Sequence, residues 1–240
     1  MASWSIDKSG RFPQRLYLRA AEIDRDSERL VADFLQRRYG EVRYPLQTDD
    51  LTVLVEQYSS SLDQYADLSA EGDDVEGMTC FLPGEMPQVM ISEHLANEPK
   101  RENRLRTTLA HEFGHAFYHR AVFDQLFAAQ PHLFRSSPAD TRTVCKRATM
   151  VETKEFDWME WQAGYVSGAI LMPASVVRRA IADLLSGYGI HGAALIGTAP
   201  AEEAERHVMA KFQVSADAAR VRLRKLGLVS DTPTAPTLFG

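Results

Sequence analysis

The stretch Thr107–Arg120, TTLAHEFGHAFYHR, constrains this chain more than any other. It contains His111-Glu112-Phe113-Gly114-His115, an H-E-x-x-H motif set among Leu109, Ala110, Phe113, Ala116 and Phe117. Residues four apart lie one above the other on a helix, so a helix here offers both imidazoles to one point. Two imidazole nitrogens about 2.0–2.1 Å from a zinc ion are half of a tetrahedral site. Glu112 flanks that face, where a carboxylate can take a proton from a water that the ion activates. Gly114 costs a helix about 1 kcal/mol relative to Ala, which predicts that something packs close against the helix there.

A chain of 240 residues with 45% apolar content can bury a full core as one large domain, or as one domain with a small appendage. It has no run of 18 apolar residues, and MASWSIDKSGRF lacks the apolar segment of a signal peptide, so the expectation is a soluble cytoplasmic protein with no membrane partner. Cys80 and Cys145 match neither a zinc ribbon nor a C-x-x-C redox site and are expected to be unpaired thiols. Charge is uneven. Between Arg43 and Lys100 there is no Lys or Arg while twelve acids occur, so that segment is −12 and the rest of the chain, given a total of −6, sums to +6.

Taken in order, residues 22–39 place Ile23, Leu30, Val31, Phe34 and Leu35 at helical spacing, ended near Gly40. A second helix is expected from Asp49 to Tyr58, capped by Asp49 or Thr48. From Leu62 to Ser92, short apolar and alternating runs punctuated by Gly72, Gly77, Pro83-Gly84 and Pro87 predict an antiparallel sheet of about three strands. Gln88–Ser92 is expected as an edge strand beside the H-E-x-x-H helix, able to hold an extended peptide by main-chain hydrogen bonds. That helix should run from about Pro99 to Arg120, with Arg101, Arg104 and Arg106 mostly on its outer face. Residues 121–153 read as an elaborated loop over the cleft.

A third ligand must come from farther on. In EFDWMEWQAGYVSGAILM, Trp158, Trp161, Tyr165, Ala169 and Met172 make an apolar stripe on a helix, while Ala163, Gly164, Ser167 and Gly168 make a stripe of small residues with Glu160 at its N-terminal end. If the small stripe meets the first helix near Gly114, Glu160 reaches the ion. Glu152, Glu155, Asp157 and His132 compete for that role. Asp157, three residues before Glu160, better suits accepting the free ring N–H of His111 or His115. His119 continues the histidine stripe by one turn, about 5.4 Å on, too far for the same ion, and reads as packing or as a polar group facing substrate. Tyr118, His119, His132 and Tyr165 are the candidates for stabilising an oxyanion.

Pro173 ends this helix, another follows to about Leu185, and Gly-rich residues lead to two helices, Glu202–Phe212 and Ala216–Leu226, with Ser215 as cap and Gly227 as stop. Arg220, Arg222, Arg224 and Lys225 make this helix-turn-helix-like pair the most basic part of the chain. Such a pair can enter a major groove or simply pack, and packing is favoured here over direct nucleic-acid binding. The tail from Ser230 reads as disordered.

Together TLAHEFGHAFYH, EWQAGYVSGAILMP and FQVSADAARVRLRKLGLV resemble the ImmA/IrrE family of metallo-endopeptidases, over roughly residues 25–229. The resemblance implies zinc held by His111, His115 and Glu160, with Glu112 as general base. It also implies an α+β, mainly helical zincin-like core with a small sheet over residues 1–190, followed by the packed helix pair at 191–229 and a tail at 230–240. The implied activity is cleavage of a helix-turn-helix repressor of a mobile element or stress response. Two departures stand out: Gly164 where Asn or Asp is usual, and the length of 121–153. From the residues alone, the rival is a non-proteolytic, metal-bearing module that binds a repressor or DNA. The acidic segment would favour capture of a basic protein over nucleic acid, with Asp73, Asp74 and Glu76 as the steering charges.

Overall fold

The computed structural model describes residues 3–129, 141–146 and 157–232. A hairpin that sequence reading did not expect opens the chain: β1 (Ser3–Ile6) pairs antiparallel with β2 (Gln14–Tyr17), Trp4 opposite Leu16. Helix α1 (Ala20–Tyr39) follows and buries Ile23, Val31, Phe34 and Leu35, as their spacing predicts. It begins where the Glu22 carboxylate accepts the Arg19 N–H and pairs with the Arg19 guanidinium, and it stops at Gly40, whose φ of 73° is a conformation glycine adopts without strain. The cap of α2 (Thr48–Glu56) is neither Asp49 nor Thr48 but Gln47. Its N–H is accepted by the buried Asp50, an acidic third residue completing the reciprocal cap.

The main sheet differs from the expected antiparallel one. It has four strands, β3 (Ser61–Ala66), β4 (Val75–Cys80), β5 (Gln88–Ser92) and β6 (Arg142–Lys146), in the order β3-β5-β4-β6, with β3 and β5 parallel. Gln88–Ser92 is therefore an interior strand, not the edge. Its Val89 and Ile91 are fully buried, as a strand flanked on both sides requires. The edge beyond β4 is taken by β6, which lies inside the stretch expected to be loop.

After the single turn α3 (Glu93–Ala96), helix α4 (Glu102–Gly114) passes through a π-helical turn, His115–His119, directly into α5 (Arg120–Ala129). The helix thus continues past its expected end at Arg120, because Val122, Phe123, Leu126 and Phe127 give α5 its own buried face. Phe123 stacks on Phe81 with ring centroids 3.9 Å apart, pinning α5 to the end of β4. The remaining parts of the expected cleft loop, 130–140 and 147–156, lie outside the described residues.

Helices α6 (Trp158–Leu171) and α7 (Ala174–Gly187), strand β7 (Ala194–Leu195), helices α8 (Ala199–Phe212) and α9 (Ala216–Lys225) and strand β8 (Val229–Ser230) complete the fold. Strands β7 and β8 pair in parallel, so Ser230 is a strand residue; the tail from 233 lies outside the described residues. Ser215 caps α9 by accepting the Ala218 N–H, and Gly227 stops the helix at φ 68°.

Arg106, expected outside, is 2% exposed. Its guanidinium donates to the carbonyls of Leu46, Phe212 and Gln213, tying α4 to the loop before α2 and to the end of α8. Arg101 and Arg104 are not free outer charges either, since both grip the carboxylate of buried Glu76. One core runs from Phe12 to Val229, so α8 and α9 share it with the rest of the molecule. The architecture is α+β, mainly helical with small sheets. No helix among the described residues is long and apolar enough to cross a membrane.

Candidate metal centre

The close approach that Gly114 predicts is made by α6. A β-carbon on Gly114 would stand 3.0 Å from the Cα of Ala163 and 3.2 Å from the Cβ of Val166, so only glycine lets the two helices pack at this distance. Ser167 fastens the contact by donating to the Thr107 carbonyl at 3.0 Å. Asp157 caps α6, its Oδ1 accepting the Glu160 N–H at 3.3 Å. These contacts set Glu160, on the first turn of α6, above His111 of α4 and His115 at the start of the π-helical turn.

Three ligand atoms converge there. His111 Nε2 and His115 Nε2 are 3.1 Å apart, and each lies 3.2 Å from one oxygen of the Glu160 carboxylate. Both histidines are fully buried. Ligands about 2.0–2.1 Å from a tetrahedral zinc would be about 3.3 Å from one another, so the set fits such an ion with little adjustment. Two nitrogens and a carboxylate are also the donor chemistry zinc takes.

The second ring nitrogen of His115 fixes its orientation. Nδ1 of His115 lies 2.9 Å from Nδ1 of His119, Nε2 of His119 lies 3.0 Å from Oε1 of Gln162, and Nε2 of Gln162 donates to the Leu16 carbonyl at 2.7 Å. Only one direction of donation satisfies the whole chain once His115 Nε2 gives its lone pair to an ion. His115 Nδ1–H donates to His119, whose Nε2–H donates to Gln162, whose amide donates to β2. Burial, with the neighbouring His115 second, holds the pKa of His119 well below the ordinary value, consistent with a neutral acceptor. His119 is thus neither a ligand nor a substrate-facing group but a buried partner behind His115.

Burial raises the pKa of Glu112, and nearby His115 and His111 together with a hydrogen bond from Thr79 hold back the rise. Its Oε2 accepts from Thr79 Oγ1 at 2.6 Å, while Oε1 lies so near β4 that a β-carbon on Gly77 would stand 2.6 Å from it. Burial would raise the Glu160 carboxyl, but His115 and His111 bring it well below the usual range. Burial would lower His111, yet its pKa is raised well above the ordinary value by the groups beside it, Cys145 and Glu160. The Cys145 thiol, pushed up to about 11 by burial, is neutral at pH 7, so Glu160 is the charge that His111 meets.

Other sequence candidates fall elsewhere. Asp157 is the cap of α6 and not a hydrogen-bond acceptor for either histidine. The Tyr165 hydroxyl donates to Asp24 of α1 at 2.9 Å, and Arg222 pairs with the same carboxylate at 2.7 Å, so Tyr165 is turned away from the histidines. Tyr118 is pushed up to about 12 by burial and meets the field of Asp26, Arg25 and Arg29, again on the α1 side. His132, Glu152 and Glu155 lie outside the described residues. Sequence reading missed Thr79, Gly77, Gln162 and Cys145. The β-branched run Thr141, Thr143, Val144 was the one available signal for the strand that carries Cys145. Cys80 and Cys145 are both free thiols.

Comparison of the chain with family models finds no match, and comparison with curated proteins finds none either.

Proposed function

We propose that this protein is a zinc-dependent endopeptidase acting on a protein substrate, most specifically a helix-turn-helix repressor. The observation that carries the reading is the convergence of His111 Nε2, His115 Nε2 and the Glu160 carboxylate within 3.2 Å, beside the buried carboxylate of Glu112. His111, His115 and Glu160 would hold the ion. Zinc bound there supplies Lewis acidity, which polarises a peptide carbonyl and makes water acidic enough to ionise near neutral pH.

The chain's own groups do the rest. Glu112, its pKa raised by burial and its Oε2 held by Thr79, is placed to accept a proton from the attacking water and to return it to the leaving amine. The His119–Gln162–Leu16 chain keeps His115 in the tautomer that leaves Nε2 free. A cytoplasmic setting and a basic, DNA-binding substrate belong to the same proposal. Asp73 and Asp74 are exposed and could steer a basic partner, whereas buried Glu76, clamped by Arg101 and Arg104, cannot.

The test is elemental analysis joined to a cleavage assay on a co-expressed helix-turn-helix repressor. Wild type should bind one zinc and yield chelator-sensitive fragments. Glu112→Gln should keep the zinc and lose about 10²–10⁴-fold in rate. A Glu112→Gln variant that cleaves like wild type would overturn the reading, and so would a repressor bound tightly but never cut.

A further inference from the structure

The hairpin at the start of the chain carries groups that the metal centre does not use. Strand β2 pairs with β1 on one side, and no other strand lies beside it among the described residues. The Leu16 carbonyl marks where its second edge faces, because it accepts the Gln162 amide of α6 at 2.7 Å. Between that edge and α6 lies a groove of about 470 Å³, walled by residues 15–20 on one side and by Trp158, Trp161 and Gln162 on the other. Sites that hold ligands have volumes of about 300–1,000 Å³. Side chains along the edge alternate: Leu16 and Leu18 are buried in the core, while half-buried Arg15 and exposed Tyr17 and Arg19 take the opposite face. Arg19 is again extended, at φ −78° and ψ 146°, so the alternation carries on from β2 to the start of α1. Two cations thus flank a ring at strand spacing, and no Asp or Glu lines the groove among the described residues. Arg19 commits Nη2 to Glu22 at 3.0 Å, yet its side chain is 68% exposed and a guanidinium has five N–H donors. Arg15 Nε donates to a neutral group, the Ser5 hydroxyl, at 3.3 Å.

We propose that this groove docks an extended acidic segment of a partner protein, which adds a third strand to the hairpin at β2. An added strand repeats the alternation of its neighbour, so residues two apart fall beside Arg15, Tyr17 and Arg19 in turn. The segment that fits therefore carries an acid, an apolar residue and a second acid at every other position. Main-chain pairing along β2 supplies affinity, and the two guanidinium groups select the acids. The indoles of Trp158 and Trp161 wall the far side of the added strand. The groove is opposite in charge to the segment holding Asp73 and Asp74, so the two surfaces select different chemistry. Neither the histidines nor Glu112 line it, and the inference does not depend on the metal reading.

A fluorescein-labelled peptide with neutralised ends and the pattern Glu-Thr-Phe-Thr-Glu, titrated with the full-length protein and followed by anisotropy, tests this. Wild type should bind it more than about tenfold tighter than the matching Lys-Thr-Phe-Thr-Lys peptide. Arg15→Glu combined with Arg19→Glu should reverse that preference. The reversal is a gain of binding for the lysine peptide, which a misfolded variant cannot give. Methylating alternate peptide amides should abolish binding in one register and spare it in the other, the mark of pairing along one edge. Glu112→Gln should bind the acidic peptide as wild type does, which keeps the result separate from the endopeptidase reading. Equal affinity for the two peptides in wild type, or a preference that survives the double substitution, would overturn the proposal. So would equal binding of the two methylated peptides, or displacement of the acidic peptide by a single-stranded oligonucleotide, which would make the groove a nucleic-acid site.

Discussion

The face between α4 and α6 and the helix pair α8–α9 are both rich in ionisable residues, yet they dispose of them in opposite ways. On α9, Arg220 makes two hydrogen bonds to Glu205, Arg222 pairs with Asp24 at 2.7 Å, and Arg224 pairs with Asp231 at 2.7 Å. Each of these three arginines is closed by a carboxylate. Between α4 and α6, two imidazoles and a carboxylate aim their lone pairs at one point, where only a proton or a metal ion can reconcile them. Convergence of donors, and not abundance of charge, marks the site that can do chemistry.

The largest effect that should follow is on the convergent set. Glu160→Ala removes one of three ligands and should lower zinc affinity by more than about 100-fold, beyond the range for losing an outer partner. Competition with a chromophoric chelator would measure it, and retained affinity would break the contrast by removing Glu160 as a ligand. On the other side of the comparison, Arg106→Met should cost about 3 kcal/mol, since three main-chain carbonyls lose a charged donor in the interior. For a chain of this size that lowers Tm by roughly 6–12 °C in a thermal melt, with zinc affinity changed far less.

A sharper probe is the chain behind His115. His119→Ala removes the acceptor of His115 Nδ1–H and should weaken zinc about 10–100-fold, with His119→Gln recovering part of the loss because an amide can both accept from His115 and donate to Gln162. Equal zinc affinity in His119→Ala and wild type would reduce the chain to packing. The pH dependence has a definite sign. His111 has a raised pKa in the zinc-free protein, so a proton held there must leave before zinc binds. Apparent affinity should therefore be constant above that raised pKa and fall about tenfold per pH unit below it, the fall beginning higher than the ordinary histidine value of about 6.5. Calorimetry in buffers of different ionisation enthalpy would count the proton released.

The helices that carry these groups were legible in the sequence because their signals are local. Apolar residues recur at helical spacing in α1, α4 and α6, and Gly114 together with the small stripe of α6 announces the close crossing that delivers Glu160. The sheet was less legible. Whether Gln88–Ser92 is an edge or an interior strand depends on Ser61–Ala66, which pairs with it in parallel on the side away from β4, a pairing that only the tertiary fold reveals. The hidden fates of Arg106 and Glu76 have the same origin. A charged residue looks exposed in one dimension, and only long-range partners, Phe212 for one and Arg101 for the other, make its burial tolerable. The packing expected of His119 takes a form that a regular helix does not foretell: the π-helical turn and Gln162 tie its ring to the back of His115.

The smallest expected effect falls on the ion pair of α9. Arg220 holds Glu205 through two hydrogen bonds, at 2.9 and 3.0 Å, but its side chain is 43% exposed and water screens the pair. Arg220→Ala should therefore leave stability almost unchanged in a thermal melt, and closer still to wild type as salt rises. The same substitution tests the rival use of the helix pair. A protein that docks on DNA through Arg220 would lose one phosphate contact, and the slope of log affinity against log salt would become shallower by about 0.9. A closed ion pair makes no such contact, so titration of a fluorescent duplex at several salt concentrations should give the same weak binding and the same slope for wild type and Arg220→Ala. A shallower slope in the variant would show that Arg220 leaves Glu205 for phosphate, and the contrast between a closed helix pair and a convergent metal face would have to be withdrawn.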